Sequence, residues 1–166
     1  VEAVETMARI AREIERDEAH FKPMVDMDMV SVNHEVTAQL ARSAVRASTN
    51  LPIRYVVLDT KTGRTGRYLA AFRGQKTVVA VCYQLHAQRI LALSYGVVPI
   101  LRNQELSDRY HFLIDAMEVI EQKDHLDEKD LLAIVGGSFG PDGGASYVEI
   151  ADVRRIRERN EQSCRK

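Results

Sequence analysis

The chain lacks tryptophan, has only two cysteines and four prolines, and carries no excess of either charge, since Lys plus Arg (23) nearly match Asp plus Glu (24). A general nucleic-acid or membrane surface works through a net positive field, so this balance argues against both and leaves room only for a local basic site. Cys82 lies in an apolar run and Cys164 in a charged one, with no CxxC-type spacing. Neither a disulfide framework nor a metal cluster is expected, and the setting reads as reducing and cytoplasmic. No run approaches the ~20 apolar residues of a membrane span, and no signal-peptide pattern is present. Internal repeats and low-complexity tracts are also missing.

What is present is the composition of an ordinary globular domain, 166 residues with 45% hydrophobic and 28% charged positions. A chain of this length buries roughly 70% of its unfolded surface, so it needs no staple to fold. Residues 1–19 place Val4, Met7, Ala8, Ala11 and Ile14 at helical spacing, an amphipathic helix that starts without a cap or lead-in. Such a start reads as the continuation of something cut away. Pro23 stops it. The connector Met24-Val25-Asp26-Met27-Asp28-Met29 reads as methionines packing over a helix rather than as a metal loop, which needs more oxygen ligands. Ser31 or Asn33 can cap a second helix, whose apolar stripe runs through Val36, Leu40 and Ala44 with Ala41 and Val45 one face over.

Residues 53–58 form a strand apolar on both faces apart from Arg54 and Tyr55, as a parallel strand covered on both sides should be. It runs into Asp59-Thr60-Lys61-Thr62-Gly63-Arg64-Thr65, and a helical pattern with Tyr68, Leu69 and Phe72 follows directly. Strand, polar turn and helix in that order put helix N-terminal amides beside three Thr hydroxyls, a Lys and an Arg, which suits a phosphate group. The competing reading is that Thr60 or Thr62 caps the helix while Lys61 and Arg64 point into water.

A turn at Arg73-Gly74-Gln75-Lys76 leads into a second buried strand over residues 77–82. A helix over 86–95 with Ile90, Leu91 and Leu93 stops at Gly96, and a short edge strand over 97–101 carries Pro99. Ser107 and Asp108 open the next helix, with Tyr110, Leu113, Ile114, Met117 and Ile120 on one face, and residues 121–130 read as a solvated connection. A strand over 131–135 ends in Gly136-Gly137-Ser138-Phe139-Gly140-Pro141-Asp142-Gly143-Gly144, a long turn with many exposed amides. Residues 146–150 alternate like an antiparallel partner. The expected fold is a three-layer α/β sandwich, a mostly parallel five-stranded sheet with its last strand antiparallel, flanked by helices.

Both polar turns follow the carboxyl ends of parallel strands and can converge on one ligand. Neither matches GxGxxG or GxxxxGK[ST], no GxSxG elbow exists, and His20, His34, His86, His111 and His125 show no metal-ligand spacing. The residues support binding better than catalysis. From Asp152 onward Arg154, Arg155, Arg157, Arg159, Arg165 and Lys166 outweigh Asp152, Glu158 and Glu161, and this stretch reads as a frayed, solvated end, helical through Ile156.

Several of these segments match one family in kind and order. Val1-Glu2-Ala3-Val4-Glu5-Thr6-Met7-Ala8-Arg9-Ile10-Ala11 resembles the end of a catalytic barrel whose signature lies just upstream. The 59–65 turn resembles a T-x-S/T-G-R-T/S effector-phosphate turn, and Val78-Val79-Ala80-Val81, Tyr95-Gly96-Val97-Val98-Pro99-Ile100 and residues 130–144 follow in register. Over about residues 1–151 the chain resembles the C-terminal domain of pyruvate kinase. The resemblance implies three parts: residues 1–20 continuing a catalytic barrel that is missing here, 21–151 the α/β domain, and 152–166 a charged tail beyond the family's last strand. It further implies a regulatory and assembly role in an enzyme transferring phosphate between phosphoenolpyruvate and ADP, with C domains meeting in a homotetramer. Magnesium and potassium belong to the full-length enzyme. Their ligands and the catalytic lysine have no counterpart in this chain, which by itself is expected to be inactive. Thr60, Lys61, Thr62, Gly63, Arg64 and Thr65 would contact a sugar-phosphate or nucleotide-monophosphate effector, and Gly140, Pro141, Asp142, Gly143 and Gly144 would close over it. With Asp142 and no Lys or Arg in that second turn, a monophosphate is favoured. Two other readings remain open: a stand-alone α/β protein acting on or sensing a phosphorylated small molecule, and an assembly module whose phosphate turn is a vestige.

Overall fold

The computed structural model describes residues 1–16, 36–102, 111–137 and 144–163. Among them the elements run α1 (Glu2–Arg16), α2 (Val36–Asn50), β1 (Ile53–Thr60), α3 (Arg64–Ala71), β2 (Val78–Cys82), α4 (Leu85–Leu91), β3 (Val97–Leu101), α5 (His111–Glu121), β4 (Leu131–Gly137), β5 (Ala145–Asp152) and α6 (Val153–Ser163). The connector around Met24, the cap candidates Ser31, Asn33, Ser107 and Asp108, and residues 138–143 and 164–166 lie outside the described residues.

The strands order as β3-β2-β1-β4-β5, with only the β4–β5 pair antiparallel. This is the three-layer arrangement that the alternation of strands and helices predicts. Alternate residues of the central strands serve opposite layers. Val56, Leu58, Val78, Ala80, Cys82, Ala133 and Val135 pack under α2, α3 and α4, whereas Val57, Val79, Val81, Leu132 and Ile134 pack under α5 and α6. Pro99 sits on the edge strand β3, where its missing N–H interrupts no second ladder.

Four local readings differ from the structure. β1 does not stop at Leu58 but continues through Asp59 and Thr60, because the Asp59–Val81 and Thr60–Cys82 pairs prolong the ladder with β2. The stripe of α2 holds at Leu40, Ala41, Ala44 and Val45 but not at Val36, which is exposed, and it is widened by the buried Thr37, Ala38 and Ser48, whose small side chains let the helix lie close to the sheet. Helix α4 ends at Leu91 rather than Tyr95. Amides of Leu93 and Ser94 bond back three residues to Ile90 and Leu91, tightening the last turn, and Leu93 is left 91% exposed. Gly96, at φ 66°, then redirects the chain so that its carbonyl accepts from Val78 N at 2.8 Å.

The fourth difference concerns the charged end. Residues 153–163 form an ordered helix rather than a frayed one. Asp152 Oδ1 accepts from Arg155 N at 2.7 Å as an N-terminal cap, Val153 and Ile156 are buried in the α5 layer, and Arg159 grips Glu149 with bonds of 3.0 and 2.6 Å. The 121–130 connection is also more structured than its charge suggests. Leu126 is buried, and Asp124 accepts from Arg54 at 2.7 Å and from Tyr55 at 2.9 Å. In α1, by contrast, the apolar Val4, Met7, Ile10 and Ile14 are all more than half exposed.

Candidate functional site

β1 lies between β2 and β4, so the chain leaves its carboxyl end toward one layer while the neighbouring strand β4 is reached through the other. Such a divergence opens a crevice at the strand ends. Thr60 closes β1 on the α3 side, and its Oγ1 accepts from Gly63 N at 3.0 Å. Gly63 is the residue before α3 and takes the left-handed conformation, φ 80°. An added Cβ there would sit 3.5 Å from Leu91 Cγ, so conformation rather than space selects glycine.

The consequence is a helix start without a side-chain cap. The expectation that Thr60 or Thr62 caps the helix is therefore replaced by a different arrangement, in which Thr60 holds the turn itself. The first-turn amides of α3, on Arg64, Thr65 and Gly66, are of the kind that bind anions at helix N-termini. Thr60, Gly63 and Thr65 are buried, Arg64 is half-buried, and Lys61 and Thr62 are exposed.

The second turn meets the first at Gly144. A Cβ on Gly144 would stand 3.0 Å from Arg64 Nη2 and 2.3 Å from Thr37 Oγ1. Only glycine lets the start of β5 lie against both. Gly140, Pro141, Asp142 and Gly143 fall outside the described residues. Thr37 is a contributor that sequence reasoning missed: it is a single buried Thr in the first turn of α2, and nothing in its neighbours marks it.

A second polar group lies behind the same strand end. Asp59, on the α5 side with Val57, is followed across the sheet by Tyr83 just after β2 and by Arg102 just after β3, the latter paired with Asp115 of α5. On the other side Tyr147 of β5 lies across Gly136, where a Cβ would be 2.3 Å from its hydroxyl oxygen. Burial raises the Asp59 carboxyl from 3.8 to about 6, against a small lowering by its own backbone. Burial likewise lifts the Cys82 thiol to about 11, leaving it an inert core residue, and pushes the Tyr83 phenol upward with help from Asp59.

The sign of the Asp59 shift sets a pH effect on stability. A carboxyl whose folded value is raised is penalised when charged, so the penalty is complete above about pH 6 and fades as pH falls toward the unfolded value of 3.8. Asp59→Asn is expected to raise stability by roughly 2 kcal/mol at pH 8, and the gain should vanish near pH 4 in paired thermal melts.

Chemically, the arrangement offers cationic and amide donors on one side and a weakly acidic carboxyl on the other. His86, His111 and His125 stand on separate elements, and among the described residues no three His, Cys, Asp or Glu side chains cluster to hold a metal ion. No helix among the described residues is long and apolar enough to cross a membrane.

Comparison with known proteins agrees with the resemblance read from the motifs. The family model for the pyruvate kinase alpha/beta domain matches residues 38–151. The pyruvate kinase of Borreliella burgdorferi is 25% identical over 164 residues, covering 96% of this chain and 34% of that protein. That of Methylorubrum extorquens is 30% identical over 158 residues, 93% of this chain and 32% of that protein, and that of Bacillus licheniformis 27% over 150 residues, 90% and 25%. The chain thus spans about a third or less of the length of these relatives. With the sheet order, the two turns and this match together, the chain belongs to the pyruvate kinase C-terminal α/β domain family.

Proposed function

We propose that this chain is the regulatory and assembly domain of a pyruvate kinase and that it binds a phosphorylated metabolite at the end of β1. The observation that carries this reading is the meeting of Arg64 and Gly144 beside the uncapped start of α3. The phosphate accepts from the amides of Arg64, Thr65 and Gly66 and from the Arg64 guanidinium. Lys61 and the Thr62 hydroxyl reach it from the exposed side of the turn, with Thr60 and Gly63 holding the turn's shape. The loop with Gly140, Pro141, Asp142, Gly143 and Gly144 closes over the rest of a sugar-phosphate or nucleotide monophosphate.

The phosphoryl transfer between phosphoenolpyruvate and ADP takes place in a catalytic barrel outside this chain, and that barrel holds the magnesium and potassium. It also covers the apolar face of α1. Self-association into a homotetramer uses this domain, and the cytoplasm is its compartment. The chain alone has no phosphoenolpyruvate-dependent turnover, which a coupled assay on the 166 residues checks directly.

The binding reading is tested by titrating inorganic phosphate, a sugar monophosphate and AMP by calorimetry. Arg64→Ala is expected to weaken binding by about tenfold or more, as loss of a charge-assisted hydrogen bond worth roughly 1.5–3 kcal/mol implies. Arg64→Lys should restore part of it. A sugar bisphosphate binding more tightly than the monophosphate would refute the monophosphate preference. Absence of binding by wild type and variant alike would favour a vestigial turn.

A further inference from the structure

The two residues that end β1 face opposite layers of the sheet. Thr60 belongs to the anion turn, and Asp59 lies on the α5 side with Val57, where it acts on the Tyr83 phenol, which in turn feels Tyr147 and Arg102, the latter paired with Asp115. The other titratable groups of these elements are His111, Glu118 and Glu121 of α5, the last paired with Arg157, Glu149 and Asp152 of β5, the former held by Arg159, and the Cys82 thiol of β2, which lies on the α3 side. The cations of the turn itself are Lys61 and Arg64, and Arg67 follows in α3. Among the described residues no ion pair engages Asp59. A half-buried carboxylate therefore stands directly behind a turn built for anions, and no cation among the described residues forms an ion pair with it.

Resting on the phosphate reading above, we propose that Asp59 makes anion binding at residues 60–65 proton-linked, so that the turn binds its ligand more tightly when the Asp59 carboxyl is protonated. Neighbouring Cα atoms are about 3.8 Å apart and their side chains leave a strand on opposite sides, which places the carboxylate on the order of 10 Å from a bound anion. Through a partly buried medium, and after salt screening, one negative charge at that range weakens a dianion roughly fivefold. The proton balance follows by linkage: a fivefold effect raises the Asp59 carboxyl by about 0.7 pH unit when the dianion is bound, so at most about 0.4 proton per site enters from solvent with the dianion and returns when it leaves. Titration of Asp59 near pH 6, set by its burial, puts this response in the physiological range.

The test uses sulfate, whose charge does not change between pH 5.5 and 8, so the ligand's own ionisation is removed from the comparison. The 166-residue chain and Asp59→Asn are titrated at both pH values. The expected result is wild-type binding about fivefold tighter at pH 5.5, with Asp59→Asn flat and as tight as low-pH wild type throughout. Proton uptake by wild type near pH 6.5, read from calorimetry in two buffers of different ionisation enthalpy, gives the same answer without a variant. A pH dependence that survives Asp59→Asn overturns the proposal in favour of a histidine. Arg64-dependent binding that is flat with pH, with no proton uptake, overturns it while leaving the phosphate reading intact. No sulfate binding by either protein at pH 5.5 removes both.

Discussion

Gly137→Ala is expected to cost about 3 kcal/mol, the upper end of what overpacking usually costs, and to lower the melting temperature by roughly 6–12 °C for a domain of this size. A Cβ at this position would stand 2.0 Å from the carbonyl oxygen of Gly144 on the facing strand. Neither side can withdraw easily. β4 is held by its Val135–Val148 and Gly136–Tyr147 pairs up to the irregularity at Gly137, and Gly144 is itself wedged against Thr37 and Arg64. Two other glycines calibrate the result. Gly96→Ala meets nothing within 4 Å and pays only for its left-handed φ of 66°, a cost of roughly 1 kcal/mol. Gly136→Ala collides with the outer end of the Tyr147 ring, which can swing aside. Equal losses at all three positions in urea denaturation would show that glycine content, rather than the backbone contact at Gly137, governs the hairpin.

The second large effect is expected at Ile156, which is 3% exposed in α6. Ile156→Ala should cost about 2–4 kcal/mol, the usual range for emptying a buried aliphatic site. A frayed end would predict almost nothing, since surface substitutions stay within about ±0.5 kcal/mol. Arg154→Ala, on the exposed side of the same helix, is the control and should fall in that small range. A null result at Ile156 would mean that α6 does not pack in solution as the structure has it.

These two expectations mark where reading along the chain succeeded and where it stopped. The five strands and their order of appearance were visible because each is a short β-branched run bounded by glycine, proline or polar residues, and that signal is local. The 60–65 turn was visible for the same reason: strand, polar turn and helix adjoin in sequence. The charged end misled because seven of its residues are Arg, Asp or Glu between 152 and 161, which outweighs two apolar positions in any count. What decides its fate is the open patch formed by Ala151, Leu132 and α5, and Glu149 waiting for Arg159. The stripe of α2 is legible through Leu40, Ala41, Ala44 and Val45 and differs only at its first residue, Val36, which is exposed while the polar Thr37 is buried in its place.

Composition, periodicity and turn chemistry in the chain were thus enough to establish an α/β sandwich, its parallel sheet and a candidate anion turn, since each depends on residues within a few positions of one another. The folded chain was needed to bring Thr37 and Gly144 to Arg64, to set Asp59 behind Thr60 on the side of Tyr83, and to turn the basic end into a packed helix. Those relations join residues far apart in the chain through strand register and burial, and the free energy that selects them arises only when the layers close.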